Sequence, residues 1–136
     1  MASSISSAVR QAVIQRADSR CEYCKLSQSA SIYTHEVDHV VAIKHDGQTV
    51  LENLALTCLH CNRHKGSDLT TFDPKSRDLV RLFNPRTQAW DAHFELKGSL
   101  IVGKTAIGTA TVKLLQMNNS RRLLERQVLM ARGDYP

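Results

Sequence analysis

The residues able to do chemistry are concentrated in one stretch, residues 35–66, HEVDHVVAIKHDGQTVLENLALTCLHCNRHKG. Asp38 and Asn62 offer carboxylate and amide oxygens, which a hard cation such as Mg²⁺ prefers as ligands. A free imidazole has a pKa of about 6.5, so His39 can take a proton from water near neutral pH. Asn53 is suitably placed in the sequence to hold the other ring nitrogen by a side-chain or backbone contact. The pattern predicts a metal ion beside a general base.

The four cysteines form two Cys-x-x-Cys pairs, Cys21 with Cys24 and Cys58 with Cys61. Each pair places two thiolates on a tight turn, and two pairs complete a closed tetrahedral Zn²⁺ site of the structural kind. The segment between the pairs is long enough to be a folded excursion. Disulfides are the alternative, and the setting expected for the chain disfavours them. A thioredoxin-like redox pair is disfavoured because neither pair begins a helix after a βαβ pattern.

That setting is the reducing cytosol. The start of the chain, MASSISSAVRQAV, lacks the basic and continuously apolar run of a secretory signal, and no stretch approaches the length of a membrane span. Lys and Arg number 18 against 13 Asp and Glu, a formal charge of +5. This excess favours a polyanionic partner such as nucleic acid, although ordinary solubility charge would explain it too.

The order Cys-x-x-Cys, Asp-His, Asn-Leu, Cys-x-x-Cys-Asn resembles that of the HNH endonucleases, whose fold is the ββα-metal finger; the resemblance covers roughly residues 16–68. It implies that His39 is the general base, Asp38 an adjacent metal ligand and Asn53 the residue that orients the base. Asn62 matches the last metal ligand, which is His in some members and Asn in others. The four cysteines match the zinc ligands found in many members.

The implied reaction is hydrolysis of a DNA phosphodiester bond. In the family, His39 would remove a proton from water, and one Mg²⁺ or Mn²⁺ held by Asp38 and Asn62 would stabilise charge on the phosphate and the departing 3′ oxygen. The product would carry a 5′ phosphate. Because position 62 is Asn, the sequence leaves open whether His64 or His35 joins the metal.

Several basic residues are candidates for contacts with DNA, which we expect to be double-stranded. Arg63 and Lys65 flank Asn62 and are placed to reach phosphates near the scissile bond. Further candidates are Arg16 and Arg20, with Arg10, Arg77, Arg81 and Arg86. Phosphate contacts give affinity without sequence choice, so no target sequence follows. Double-strand cleavage with one such site per chain would favour a homodimer or two successive nicks.

The predicted fold class is α+β, with a ββα-metal zinc finger core, an N-terminal helix and a C-terminal β-hairpin with helices. We expect two parts, a core at residues 1–72 and an extension at residues 73–136 packed on it. In the core, a helix capped by Ser6 or Ser7 is followed by a strand at 35–43, a turn at Asp46–Gly47 and a helix at 61–66.

The extension should begin with a helical or irregular connection between Pro74 and Pro85. Alternating apolar residues from Trp90 to Leu96 predict a strand, and residues 100–102 should complete a hairpin. Two helices follow, the first from Thr105 to about Met117. The second should end at Gly133, with an apolar stripe made by Leu123, Leu124, Val128 and Met130 or Ala131.

Two other kinds of function fit parts of the pattern. A non-catalytic zinc module that binds DNA or RNA would explain the cysteines and the charge, but not the adjacent Asp38 and His39. A protein-interaction module would use the zinc turns to present a surface, with residues 90–131 contacting a partner. Cleavage of plasmid DNA separates the enzyme from both.

Overall fold

The computed structural model describes residues 5–136. Residues 1–4, which are part of the segment predicted to lack a secretory signal, lie outside the described residues. Strand β1 (Glu36–His39) pairs antiparallel with β2 (Leu54–Thr57), and helix α2 (Leu59–Lys65) follows β2 directly. These three elements form the predicted ββα unit. Within residues 5–136, no helix has the length and apolar character needed to cross a bilayer.

Helix α1 (Ser7–Arg16) covers one side of β2. Ser6 caps it as predicted, because its hydroxyl accepts a hydrogen bond from the Val9 backbone N–H at 3.2 Å. Val13 faces inward and is fully buried with Leu54 and Leu56 of β2. Burial of these apolar side chains fixes α1 against the strand that leads to the second cysteine pair.

The connection between β1 and β2 is held by Asn53. Its amide oxygen accepts from the Val41 backbone N–H at 2.9 Å, and its amide nitrogen donates to the carbonyls of Val41 at 3.0 Å and Gln48 at 2.9 Å. Gly47 approaches the same turn so closely that a Cβ would stand 1.7 Å from the Val41 carbonyl oxygen. Only glycine fits there, and the loop therefore has a defined shape.

The C-terminal part contains two hairpins and three helices. The elements are β3 (Thr70–Phe72), β4 (Leu79–Arg81), α3 (Trp90–His93), β5 (Phe94–Lys97), β6 (Leu100–Gly103), α4 (Ala106–Leu114) and α5 (Ser120–Ala131). Strand β3 pairs with β4, and β5 pairs with β6.

Two predictions for this part were wrong. The connection expected between Pro74 and Pro85 contains β4, because Asp73 builds a tight turn: its carboxylate accepts from the Lys75 backbone at 3.2 Å and the Ser76 hydroxyl at 2.9 Å. The strand expected from Trp90 begins only at Phe94. Residues 90–93 form a helical turn instead, and the Trp90 indole N–H is drawn to the Tyr23 carbonyl oxygen at 2.8 Å.

The predicted apolar stripe of α5 was wrong at Leu124 and Val128, although Met130 does pack against the core. Leu124 is 60% exposed and Val128 is 50% exposed, whereas Arg122, Arg126 and Leu129 are buried. The two arginines can be buried because their guanidinium groups find acceptors inside the protein. The helix therefore packs partly through two charged side chains, which its hydrophobicity pattern would assign to the surface.

One hydrophobic cluster joins the cysteine turns to the C-terminal part. Its members include the four cysteines with Tyr23, Leu26, Phe83, Phe94, Ile101, Leu115, Met117, Leu129 and Tyr135. The division expected after residue 72 falls at the turn of the β3–β4 hairpin. The ββα unit thus shares its core with the residues that follow it.

Candidate functional site

The four cysteine sulfurs lie together in the interior. All four side chains are buried, each sulfur lies within 4.8 Å of the others, and the Sγ atoms of Cys24 and Cys58 are 3.6 Å apart. A disulfide needs about 2.05 Å, and all four cysteines are free thiols. The disulfide alternative is therefore wrong, and the arrangement is that of a closed four-sulfur site.

The chemistry of this donor set fits Zn²⁺. Hydrogen bonds from Cys21, Cys58 and Cys61 hold the pKa of the Cys24 thiol well below its usual range, while burial raises the pKa values of Cys21 and Cys61 well above it. Four buried thiols thus compete for protons in a small volume. A divalent ion that displaces those protons would relieve the competition and bind the sulfurs as thiolates.

Glu22 ties the first cysteine turn to the rest of the domain. One carboxylate oxygen accepts from the Leu56 backbone N–H of β2 at 2.9 Å, and the other pairs with the Arg86 guanidinium. Cys58 in turn caps α2, since its sulfur accepts from the Cys61 N–H at 3.5 Å. The thiol site therefore fixes the start of the helix that carries Asn62.

Asp38 and α2 meet through Lys65. The Lys65 ammonium donates to Asp38 Oδ2 at 2.9 Å and to the His39 carbonyl oxygen at 3.3 Å, and Lys65 is only 2% exposed. Burial raises the pKa of the Asp38 carboxyl, and the charge and hydrogen bond of Lys65 oppose that rise. Lys65 was predicted to contact DNA; the structure places it against the carboxylate instead.

Asn62 lies on the same face of α2 as Lys65. Residues three apart in a helix are neighbours on its surface, so Asn62 lies next to the residue that contacts Asp38. His64 is two residues from Asn62 and faces another direction. The structure thus joins α2 to β1 through Lys65 and Asp38, and Asn62 lies one turn before Lys65 on the helix.

His39 is held by a residue that the sequence did not indicate. Its Nε2 lies 2.8 Å from the hydroxyl oxygen of Thr49, which belongs to the loop clamped by Asn53. A neutral ring that donates from Nε2 to this hydroxyl has Nδ1 available to take a proton. Asn53, expected to orient the base, hydrogen-bonds the loop backbone and so acts on the segment that carries Thr49.

Replacing Thr49 with valine should slow any reaction that uses His39 as a base by about five- to tenfold. The change removes a hydroxyl without changing the side-chain shape, and one hydrogen bond contributes about 1 kcal/mol. DNA affinity and thermal stability should stay near those of the wild type. Thr49→Ser keeps the hydroxyl and is the matched control; a Val variant as fast as the Ser variant would exclude this role.

His35 is placed away from Asp38. It is buried, and its Nε2 lies 2.8 Å from the Leu26 carbonyl oxygen, so Nε2 carries the proton. Its Nδ1 is buried without a hydrogen-bond partner among residues 5–136. The ring therefore stabilises the loop after the first cysteine pair.

The arginines predicted to contact DNA differ in their surroundings. Arg16 donates to the carbonyl oxygens of Leu51 at 2.9 Å and Leu54 at 2.5 Å, and Arg20 lies 3.4 Å from the Lys25 carbonyl oxygen. Both guanidinium groups thus have contacts with the backbone. Arg63 is exposed on α2, next to Asn62, and is free to extend into solvent.

Comparison with known proteins supports the same reading of this segment. The family model of the HNH endonucleases matches residues 21–68, which confirms the resemblance. The chain is also 25% identical over 124 residues to the Septu protein PtuB of Bacillus thuringiensis. That alignment covers 90% of this chain and 46% of the relative, so the chain spans less than half the relative's length. No solved structure gives a significant match.

Proposed function

We propose that this chain, whose residues 21–68 match the HNH endonuclease family, is a metal-dependent endonuclease that hydrolyses DNA phosphodiester bonds. His39 is the general base, and Asp38 and Asn62 hold one divalent ion. The thiol site holds a structural Zn²⁺ that joins the first cysteine turn to the start of α2. Septu protein PtuB is a distant relative, and nothing about its action is needed for this assignment.

The observation that carries the proposal is the contact of Lys65 with Asp38. It sets the face of α2 that bears Asn62 against the strand that bears Asp38 and His39. In this proposal, a carboxylate oxygen, an amide oxygen and an imidazole converge on one ion. Neither a zinc module that only binds nucleic acid nor a protein-interaction module requires this convergence.

The donor set at Asp38 and Asn62 fits Mg²⁺ or Mn²⁺. Both side chains offer hard oxygen atoms, and Mg²⁺ is commonly held by one or two protein oxygens with water and phosphate completing its shell. Lys65 occupies Oδ2 of Asp38 and leaves Oδ1 for a ligand. When bound, such an ion would supply positive charge to stabilise the phosphate and the departing 3′ oxygen.

The protein's own side chains would do the rest. Thr49 holds Nε2 of His39, so that Nδ1 takes a proton from the attacking water. Lys65 orients the Asp38 carboxylate and opposes the rise in its pKa that burial causes. Arg63 is exposed on α2 and would contact flanking phosphates, which adds affinity without reading sequence.

Nicking of supercoiled plasmid should require Mg²⁺ or Mn²⁺ and stop when EDTA removes them. Asn62→Ala should lower the rate by roughly 10²-fold, because it removes one of two protein ligands to an ion that stabilises transition-state charge. Asn62→His should remain active and shift preference towards Mn²⁺, Co²⁺ or Ni²⁺, since imidazole suits transition metals.

The assay needs protein that keeps its zinc, so each sample should be checked for zinc content after the EDTA step. Cleavage that continues at full rate in EDTA would contradict the proposed mechanism. Full Mg²⁺-dependent activity in Asn62→Ala would instead move the ligand role to another residue, with His64 tested next.

A further inference from the structure

Arg122 lies beside the thiol site although it belongs to the last helix of the described chain. Its side chain is 3% exposed, and its Nη2 lies 3.1 Å from Cys61 Sγ and 3.8 Å from Cys58 Sγ. Its Nη1 donates to the Leu115 carbonyl oxygen at 2.8 Å. The guanidinium of this α5 residue thus contacts both the end of α4 and the second cysteine pair.

The contact of Arg122 with the cysteine sulfurs matters because of the charge that the site carries when a metal ion is bound. Four thiolates around one divalent ion leave an excess of negative charge in the interior. Buried charge is costly unless it is paired and hydrogen-bonded, and hydrogen bonds that involve ionised groups are about twice as strong as neutral ones. Arg122 supplies both the opposite charge and the donors.

We propose that Arg122 is the counter-charge of the metal–thiolate centre, through which α5 sets how tightly the metal is held and how electron-rich its sulfurs are. The inference depends on metal occupancy of the thiol site, which the proposed function includes, but not on DNA cleavage. It makes metal retention in the ββα unit depend on a residue outside residues 21–68, the segment that the HNH family covers.

Arg126 provides a matched control on the same helix. It is also 3% exposed, and it donates from Nε to the Ser99 carbonyl oxygen at 2.7 Å and from Nη2 to Asn118 Oδ1 at 2.8 Å. Arg122 and Arg126 are therefore equally buried and both stabilise the packing of α5. They differ in that only Arg122 has a thiol sulfur as a hydrogen-bond partner.

The test uses the full chain loaded with Zn²⁺ for affinity and with Co²⁺ for spectroscopy. Arg122→Met should lower Zn²⁺ affinity by roughly 10- to 100-fold in a chelator competition, the usual effect of losing a partner to metal ligands. Its Co²⁺–thiolate charge-transfer band should move to lower energy, because the sulfurs lose a donor. Arg122→Lys should restore part of both, since it keeps the charge.

Arg126→Met should lower the melting temperature while leaving the band and the Zn²⁺ affinity of the folded protein near wild type. Should Arg122→Met not fold, the band of Arg122→Lys must still lie below that of the wild type. An unchanged band in both Arg122 variants would overturn the inference, as would equal losses of affinity in the Met variants at 122 and 126. A wild-type chain that takes up neither ion would refute metal occupancy itself.

Discussion

His39→Ala should nick supercoiled plasmid roughly 10²- to 10⁴-fold more slowly than the wild type, the usual contribution of a general base. Its fold, zinc content and DNA affinity should stay near wild type, because the side chain is only partly buried and its hydrogen bond goes to a loop hydroxyl, that of Thr49. Rates should be measured with Mg²⁺ and affinities in its absence, so that cleavage and binding are read separately.

His45→Ala is the matched control for this experiment. His45 lies in the same connection between β1 and β2 but is exposed at its surface. The His45 variant should cleave like the wild type. Equal nicking by the wild type and His39→Ala would point to another site or to a contaminant and would exclude His39 as the base. If even the wild type binds but does not cleave, the chain is a binding module.

The residues of the ββα unit were predictable from the sequence because their spacing is imposed by covalent geometry. A Cys-x-x-Cys pair can hardly avoid placing two thiols on one turn, and two such pairs that share a metal fix the intervening strands. Asp38 and His39 are consecutive in the sequence and were therefore expected side by side on one strand. Asn62 follows Cys61 directly and was therefore expected near the start of the helix. The structure has all of these features.

The partners of those residues were not predictable in the same way. Thr49 reaches His39 only because Asn53 and Gly47 give the loop one particular shape. From the sequence, Lys65 is expected to be an exposed cation that contacts DNA. Its burial depends on the carboxylate of Asp38, which lies 27 residues earlier. Such contacts are set by tertiary packing, for which a single sequence carries little signal.

Helix α5 shows the limit most clearly. Leu124 and Val128 follow helical spacing, so hydrophobicity alone assigns them to the core. The structure buries Arg122 and Arg126 instead, because each guanidinium group has a hydrogen-bond acceptor in the interior, a sulfur for Arg122 and a carbonyl oxygen for Arg126. A pattern rule that treats every arginine as exposed fails where the interior carries negative charge.

Cys58→Ser should lose its Zn²⁺ and fall in melting temperature by roughly 15 °C or more, or lose cooperative unfolding altogether. Binding of a structural zinc ion contributes about 10 to 16 kcal/mol in small zinc domains, which exceeds the total stability of many domains. Cys58 also caps α2 through its sulfur. Serine is itself a favourable cap, so the substitution removes the metal ligand while keeping a hydroxyl at the start of the helix.

The comparison that isolates the metal is wild type stripped of zinc by a strong chelator. It should show the same lowered melting temperature as Cys58→Ser, and only the stripped wild type should recover when Zn²⁺ is returned. Because α2 begins at this thiol site and carries Asn62, both proteins should also fail to nick DNA in the presence of Mg²⁺. Native protein without zinc by elemental analysis, or a Ser variant as stable as the wild type, would show that the four thiols pack as an ordinary core and that the helix is positioned by other contacts.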